Sequence, residues 1–151
     1  MRVRELLHNF FNTTCKIDKR IKEALFAASE SLLVCKNLSV NALGRSLSSP
    51  AKVKHCIKRM DRLFGNKNLY EHMDIFYKIF IDYYLKNNNR PIIIVDGSGL
   101  TPCGTFHFLR AAIPTDGRTL TLYDEVHTTA TLNHPKTHLA FLKKLKELIP
   151  V

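Results

Sequence analysis

Asp96 follows four branched apolar residues, Ile92, Ile93, Ile94 and Val95, and precedes Gly97 and Gly99. The run is too short for a helix core, is β-branched and is opened by Pro91, so it predicts a central, fully buried strand. A carboxylate where such a strand emerges packs poorly, yet it is well placed for a metal ligand or a general base. A second candidate is cationic. In "AKVKHCIKRMDRLFGN", residues 51–66, Lys52, Lys54, His55, Lys58, Arg59 and Arg62 crowd one short segment against a single acid, Asp61. Such a face is either a solvated surface or a polyanion contact. The mutual repulsion of so many like charges favours the contact with a polyanion such as DNA, RNA or an anionic membrane. Lys52, Lys58 and Arg59 then suit phosphates, and His55 or Arg62 suit base edges. A third pair, His134 and His138, is spaced to share a helical face, but no acid or third ligand stands near it in sequence.

The elements that must carry these groups are legible in the apolar pattern. Residues 18–35 place Ile21, Leu25, Ala28, Leu32 and Val34 at helical spacing. Ser39 has the chemistry of an N-cap for a short helix carrying Val40, Leu43 and Leu47. Pro50 suits the first turn of the next helix, whose expected stripe is Val53, Ile57, Met60 and Phe64, with Gly65 as its stop. Two short helices across a tight break, the second one basic, form a helix-turn-helix pattern. Leu69, Met73, Phe76, Tyr77, Phe80 and Tyr84 then predict a helix with an aromatic core face, ending in three asparagines at 87–89 that mark a domain boundary. Beyond the Asp96 strand, Phe106, Phe108 and Ala112 alternate, Asp116 and Gly117 form a turn, and Leu120 and Leu122 continue with period two. That is a hairpin. A closing helix follows, with Leu139, Leu142, Leu145 and Leu148 expected inward and Lys143, Lys144 and Lys146 outward.

The charge agrees with this division. The 151-residue chain has 23 Lys and Arg against 13 Asp and Glu, a formal charge of +10. Residues 1–90 hold 17 of those cations and 8 acids, and residues 91–151 hold 6 and 5. The basic character thus belongs to the N-terminal part, expected to be a helical module over 1–89 followed by a second domain over 90–151. Cys15, Cys35, Cys56 and Cys103 form no C-x-x-C pair, so neither a zinc knuckle nor a redox motif is supported, and reduced, mostly buried thiols are expected. The sequence has no long apolar span and no signal-peptide pattern, so a cytoplasmic, nucleoid-associated protein with no membrane partner is expected. There is no internal repeat, no Gly-rich phosphate loop and no nucleophile elbow.

In order and spacing, "LGRSLSSPAKVKHCIKRMDRLFGN", "PIIIVDGSG", "FHFLRAAIPTDGRTLTLYDEV" and "HPKTHLAFLKKLKELIP" resemble the N-terminal part of bacterial cut-and-paste DDE transposases. The group is the one named after insertion sequence 4, with its transposon-10-like members. The resemblance, which covers nearly the whole chain, implies an α+β protein. Its N-terminal all-α, helix-turn-helix-like DNA-binding module, with double-stranded DNA as the polyanion it meets, would be followed by an incomplete ribonuclease-H-like β-β-β-α segment. Asp96 matches the family's first metal-binding aspartate. The family's strand transfer uses divalent ions, Mg2+ or Mn2+, two of them held by several carboxylates. The strand with the second aspartate and the region with the final glutamate lie beyond Val151, so Asp96 would be vestigial and the chain inactive alone. Asp116, Asp124, Glu125 and Glu147 match no catalytic position, and Gly97 stands where many relatives carry tryptophan.

The function expected from this resemblance is recognition of transposon ends by a catalytically incomplete transposase fragment. Two alternatives stand beside it: a regulatory or sequence-nonspecific DNA binder derived from a transposase, and a split transposase active only with a complementary chain. The absent neighbouring strand would also leave Ile92, Ile93, Ile94 and Val95 on an open apolar edge. Self-association, or association with a full-length transposase, is the partner this implies.

Overall fold

A computed structural model describes residues 5, 8–10, 12, 17–86, 88 and 90–149. The chain is α+β and divides into two compact units, residues 1–75 and 76–151. The expected boundary at 87–89 falls on Asn87 and Asn89, which lie outside the described residues.

In the first unit, helix α1 spans Lys19–Cys35 and is capped by Asp18, whose carboxylate accepts from the Arg20 amide. Helix α2, Val40–Arg45, begins as its sequence predicts: Ser39 accepts from the Ala42 amide at 3.3 Å. Helix α3 runs Val53–Phe64 and short helix α4 runs Lys67–Glu71. Helices α1, α2 and α3 pack on one another around Ala28, Leu43, Cys56, Met60 and Leu63. The buried Ser31 hydroxyl donates to the Leu43 carbonyl at 2.6 Å, fixing α1 on α2. Four sequence expectations change here. Val34 is exposed at the end of α1, because Ala28 and Ser31 form the inward line. Val53 and Phe64 are exposed and Cys56 and Leu63 take their places, a rotation of the expected stripe by a fraction of a turn. Pro50 precedes α3 instead of opening it, since Lys52 is the N-cap. The break between α2 and α3 is a seven-residue connection, 46–52, not a tight turn.

In the second unit, strands β1 (Ile94–Gly99), β2 (Phe106–Thr115) and β3 (Arg118–Thr128) form an antiparallel sheet in the order β1-β2-β3. Gly117 turns the β2–β3 hairpin at φ 73°, a left-handed conformation that glycine adopts without steric cost. Helix α5 (Met73–Leu85) straddles the two units. Short helix α6 (Thr129–Leu132) and helix α7 (Pro135–Leu148) follow β3. The core joins Ile81 and Leu85 of α5, Leu109 and Ala111 of β2, Leu122 and Tyr123 of β3, and Phe141, Leu145 and Leu148 of α7.

That core corrects three more readings. Phe80 and Tyr84 are exposed, and Ile81 and Leu85 provide the inward line of α5. On α7, Leu139 and Leu142 are exposed, because Phe141 with Leu145 and Leu148 completes the apolar stripe. The inward face of β2 carries Leu109 and Ala111, so Phe106 is exposed. A bulge at Ala111/Ala112 inserts Leu122 between residues paired with those alanines, which buries Leu122 and Tyr123 side by side.

The Asp96 strand is the largest correction. It is an edge strand whose six residues are all exposed, since β2 alone lies beside it among the described residues. Of the preceding run only Ile93 packs against the core. Ile92, Ile94 and Val95 are the open apolar edge.

Candidate nucleic-acid interface and the Asp96 strand

Helix α3 separates charge from core around its circumference. At about 100° per residue, Lys54, Lys58, Arg62, His55, Arg59 and the cap residue Lys52 fall within roughly 160° of arc. All six are exposed, and Cys56, Met60 and Leu63 occupy a separate, adjoining arc at four per cent exposure or less. Lys54, Lys58 and Arg62 form one i, i+4 ridge, so like charges face one another at both of its steps, and His55 and Arg59 form a second ridge. Each such pair costs a few tenths of a kcal/mol, about 0.2–0.5, in the free helix. Asp61 is exposed between the two sides.

Gly44 fixes how α3 is presented. A Cβ built there would stand 2.5 Å from the Ile57 Cα, closer than any real packing contact, so α2 meets α3 backbone to backbone. This close approach, with Cys56 donating to the Ala51 carbonyl at 3.6 Å, seats the inward side of α3 and turns the cationic side to solvent. The structure thereby brings Lys52, Lys54, His55, Lys58, Arg59 and Arg62 together on one surface.

Asp96 stands differently. Its carboxylate accepts from the Gly97 amide at 2.8 Å, and its cross-strand neighbour is Arg110, not another acid. Among the described residues no three His, Cys, Asp or Glu side chains assemble a group able to hold a metal. Asp96 offers a single exposed carboxylate, where two-metal chemistry uses several. His134 is the N-cap of α7, accepting from the Lys136 amide at 3.2 Å, and His138 is exposed on the same helix.

On β2 and β3, two acids are instead paired within the fold. Arg110 reaches Asp124 at 3.1 Å across β2 and β3 and lies over the Phe108 ring, 4.8 Å from its centroid. The other Asp124 oxygen accepts from the Tyr77 hydroxyl on α5. Burial first, and then that hydrogen bond, push the Tyr77 phenol above its ordinary range. Glu125 accepts from Tyr123 and pairs with His127 at 3.0 Å. Neither arrangement is visible in the sequence, because both depend on pairings between elements and on strand register. In the β1–β2 connection Cys103 is exposed, contrary to the expectation of buried thiols that Cys56 meets. Hydrogen bonds with the Thr101 and Thr105 hydroxyls pull its pKa down to about 7. Cys15 lies outside the described residues.

No family model, curated protein or solved structure matched the chain in any of the three comparisons. No helix among the described residues is long and apolar enough to cross a membrane.

Proposed function

We propose that this protein binds double-stranded DNA through the cationic side of α3, as the end-recognition part of a DDE-type transposase. The observation that carries the reading is the segregation on α3: six basic side chains exposed together, with Cys56, Met60 and Leu63 buried on a separate arc. A polyanion removes the repulsion within this face and releases the DNA's own counterions. The contact of α2 with α3 at Gly44 is compatible with a helix-turn-helix-like unit having a long connection. The antiparallel β1-β2-β3 sheet followed by α7 is compatible with the opening part of a ribonuclease-H-like domain. Asp96 would occupy the first aspartate position of that domain, and no strand transfer is assigned to the chain.

Fluorescence anisotropy tests this reading with the whole chain, an inverted-repeat duplex taken from beside its coding sequence and a scrambled duplex of equal length. The repeat is expected to win by tenfold or more, about 1.4 kcal/mol. Lys58→Ala together with Arg62→Ala should erase that preference. Lys52, Lys54, Lys58 and Arg59 bound to phosphates give a salt slope of about −3.6. Failure of both duplexes to bind, or unchanged binding by the double variant, overturns the proposal.

A further inference from the structure

His107 and His127 stand directly across from each other on β2 and β3. The Thr129 amide donates to the Thr105 carbonyl at 3.2 Å, so by ladder alternation the two histidines are a hydrogen-bonded pair. Their Cα atoms are then about 5.5 Å apart, with both side chains on one face of the sheet. One nitrogen of each ring is already engaged. The His107 Nε2 lies 2.9 Å from the Gly104 carbonyl and 3.0 Å from the Thr129 hydroxyl, which donates its own hydrogen to the same carbonyl. A carbonyl only accepts, so this Nε2 carries the proton. The His127 Nε2 lies 3.0 Å from one Glu125 oxygen, and the other oxygen accepts from the Tyr123 hydroxyl. A carboxylate also accepts, so here too Nε2 is the donor. In the neutral ring the second nitrogen keeps its lone pair. Two Nδ1 lone pairs therefore stand on one face across two strands, and neither has a hydrogen-bond partner among the described residues.

We propose that the Nδ1 atoms of His107 and His127 together bind one Zn2+ ion. Histidines that ligate metals characteristically give their other N–H to a carboxylate or a backbone carbonyl, and this pair has one of each. Glu125 and the Gly104 carbonyl are thus positioning groups, which fix the tautomer and raise the basicity of the free nitrogen. Two Zn–N bonds at a tetrahedral angle need nitrogens about 3.4 Å apart. Cross-strand Cβ atoms about 5 Å apart reach that separation by side-chain rotation. No third His, Cys, Asp or Glu completes a set among the described residues, so water fills the remaining positions. Space for it is present on β1: Gly99 is the neighbour of His107, and a Cβ there would meet nothing within 4 Å. Imidazole selects Zn2+ over Mg2+ and Ca2+, which take oxygen ligands. The site owes nothing to the reading of α3, and its test uses no DNA.

Isothermal titration calorimetry of the whole, metal-stripped chain is expected to show one Zn2+ bound per chain at micromolar concentration, undisturbed by excess Mg2+. His107→Gln and His127→Gln should each weaken zinc at least tenfold, with circular dichroism checking that the fold is unchanged. His138→Gln on α7 and Cys103→Ser in the β1–β2 connection should have no effect. Proton–nitrogen correlation spectra of the imidazoles give a reading that needs no variant. Without metal both rings should carry their proton on Nε2, and both Nδ1 signals should move when zinc is added. Absence of binding below millimolar zinc overturns the proposal. So does binding that is indifferent to either glutamine substitution or abolished by Cys103→Ser, or a spectrum in which either Nδ1 carries the proton.

Discussion

The α3 surface and the β2–β3 sheet surface use the same residue types to opposite ends. On α3 the arginines and lysines stand together, exposed, with Asp61 the single acid of the helix. On the sheet, Arg110 is held by Asp124 and His127 by Glu125, and Tyr77 and Tyr123 supply further donors to those acids. These pairs are satisfied within the fold, so they act on stability. The helix's charges are left over, so they act on whatever binds.

The two regions separate most clearly when each is damaged in the place that sets it up. Phe141→Ala removes the largest fully buried side chain of the sheet core and should cost about 3–5 kcal/mol, read by denaturant unfolding. Gly44→Ala forces a methyl into the Ile57 backbone and should cost about 1–3 kcal/mol, with amide exchange accelerated in α2 and α3. Two arginine truncations then set the regions against each other. Arg62→Ala should lower DNA affinity severalfold while stability stays within about 0.5 kcal/mol. Arg110→Ala should leave DNA affinity alone and lower stability by about 1 kcal/mol, a modest figure because the pair is partly solvated. Equal effects of the two on both measurements would abolish the distinction.

The smallest effect concerns protons. The Cys103 pKa is depressed to about 7, so the folded state favours the thiolate. Any linked stabilisation is present above the unfolded-state pKa and fades as pH falls through 7. Alkylation of Cys103 by iodoacetamide should therefore be half-maximal near pH 7, with buried Cys56 unreactive in the native protein.

Local chemistry is legible in the sequence wherever one residue decides it. The Ser39 cap, the Gly65 stop and the Asp116–Gly117 turn are found where propensity puts them. Helical phase is less legible. Val53 and Phe64 are as apolar as Cys56 and Leu63, and the packing of α1 and α2 on α3, closest at Gly44, chooses between the two stripes. The Asp96 strand misleads because a run of isoleucines has the same composition whether a sheet covers one edge or both. For the candidate interface, the six basic residues are all identifiable from charge alone. Their placement on one exposed side is not, since it follows from which residues turn inward.

The bulge in β3 also sets what this hairpin tolerates. Leu120 and Leu122 keep one two-residue rhythm and Tyr123 and Glu125 keep the other, and the phase changes once, at the inserted Leu122. Deleting Leu122 would close the bulge with the other β2–β3 pairings kept, at the loss of a buried leucine, whereas a deletion or insertion elsewhere in β3 would set part of it out of step with the core beneath. The segment should accept many exchanges of one side chain for another, and almost no change in the number of residues between Gly117 and Thr128.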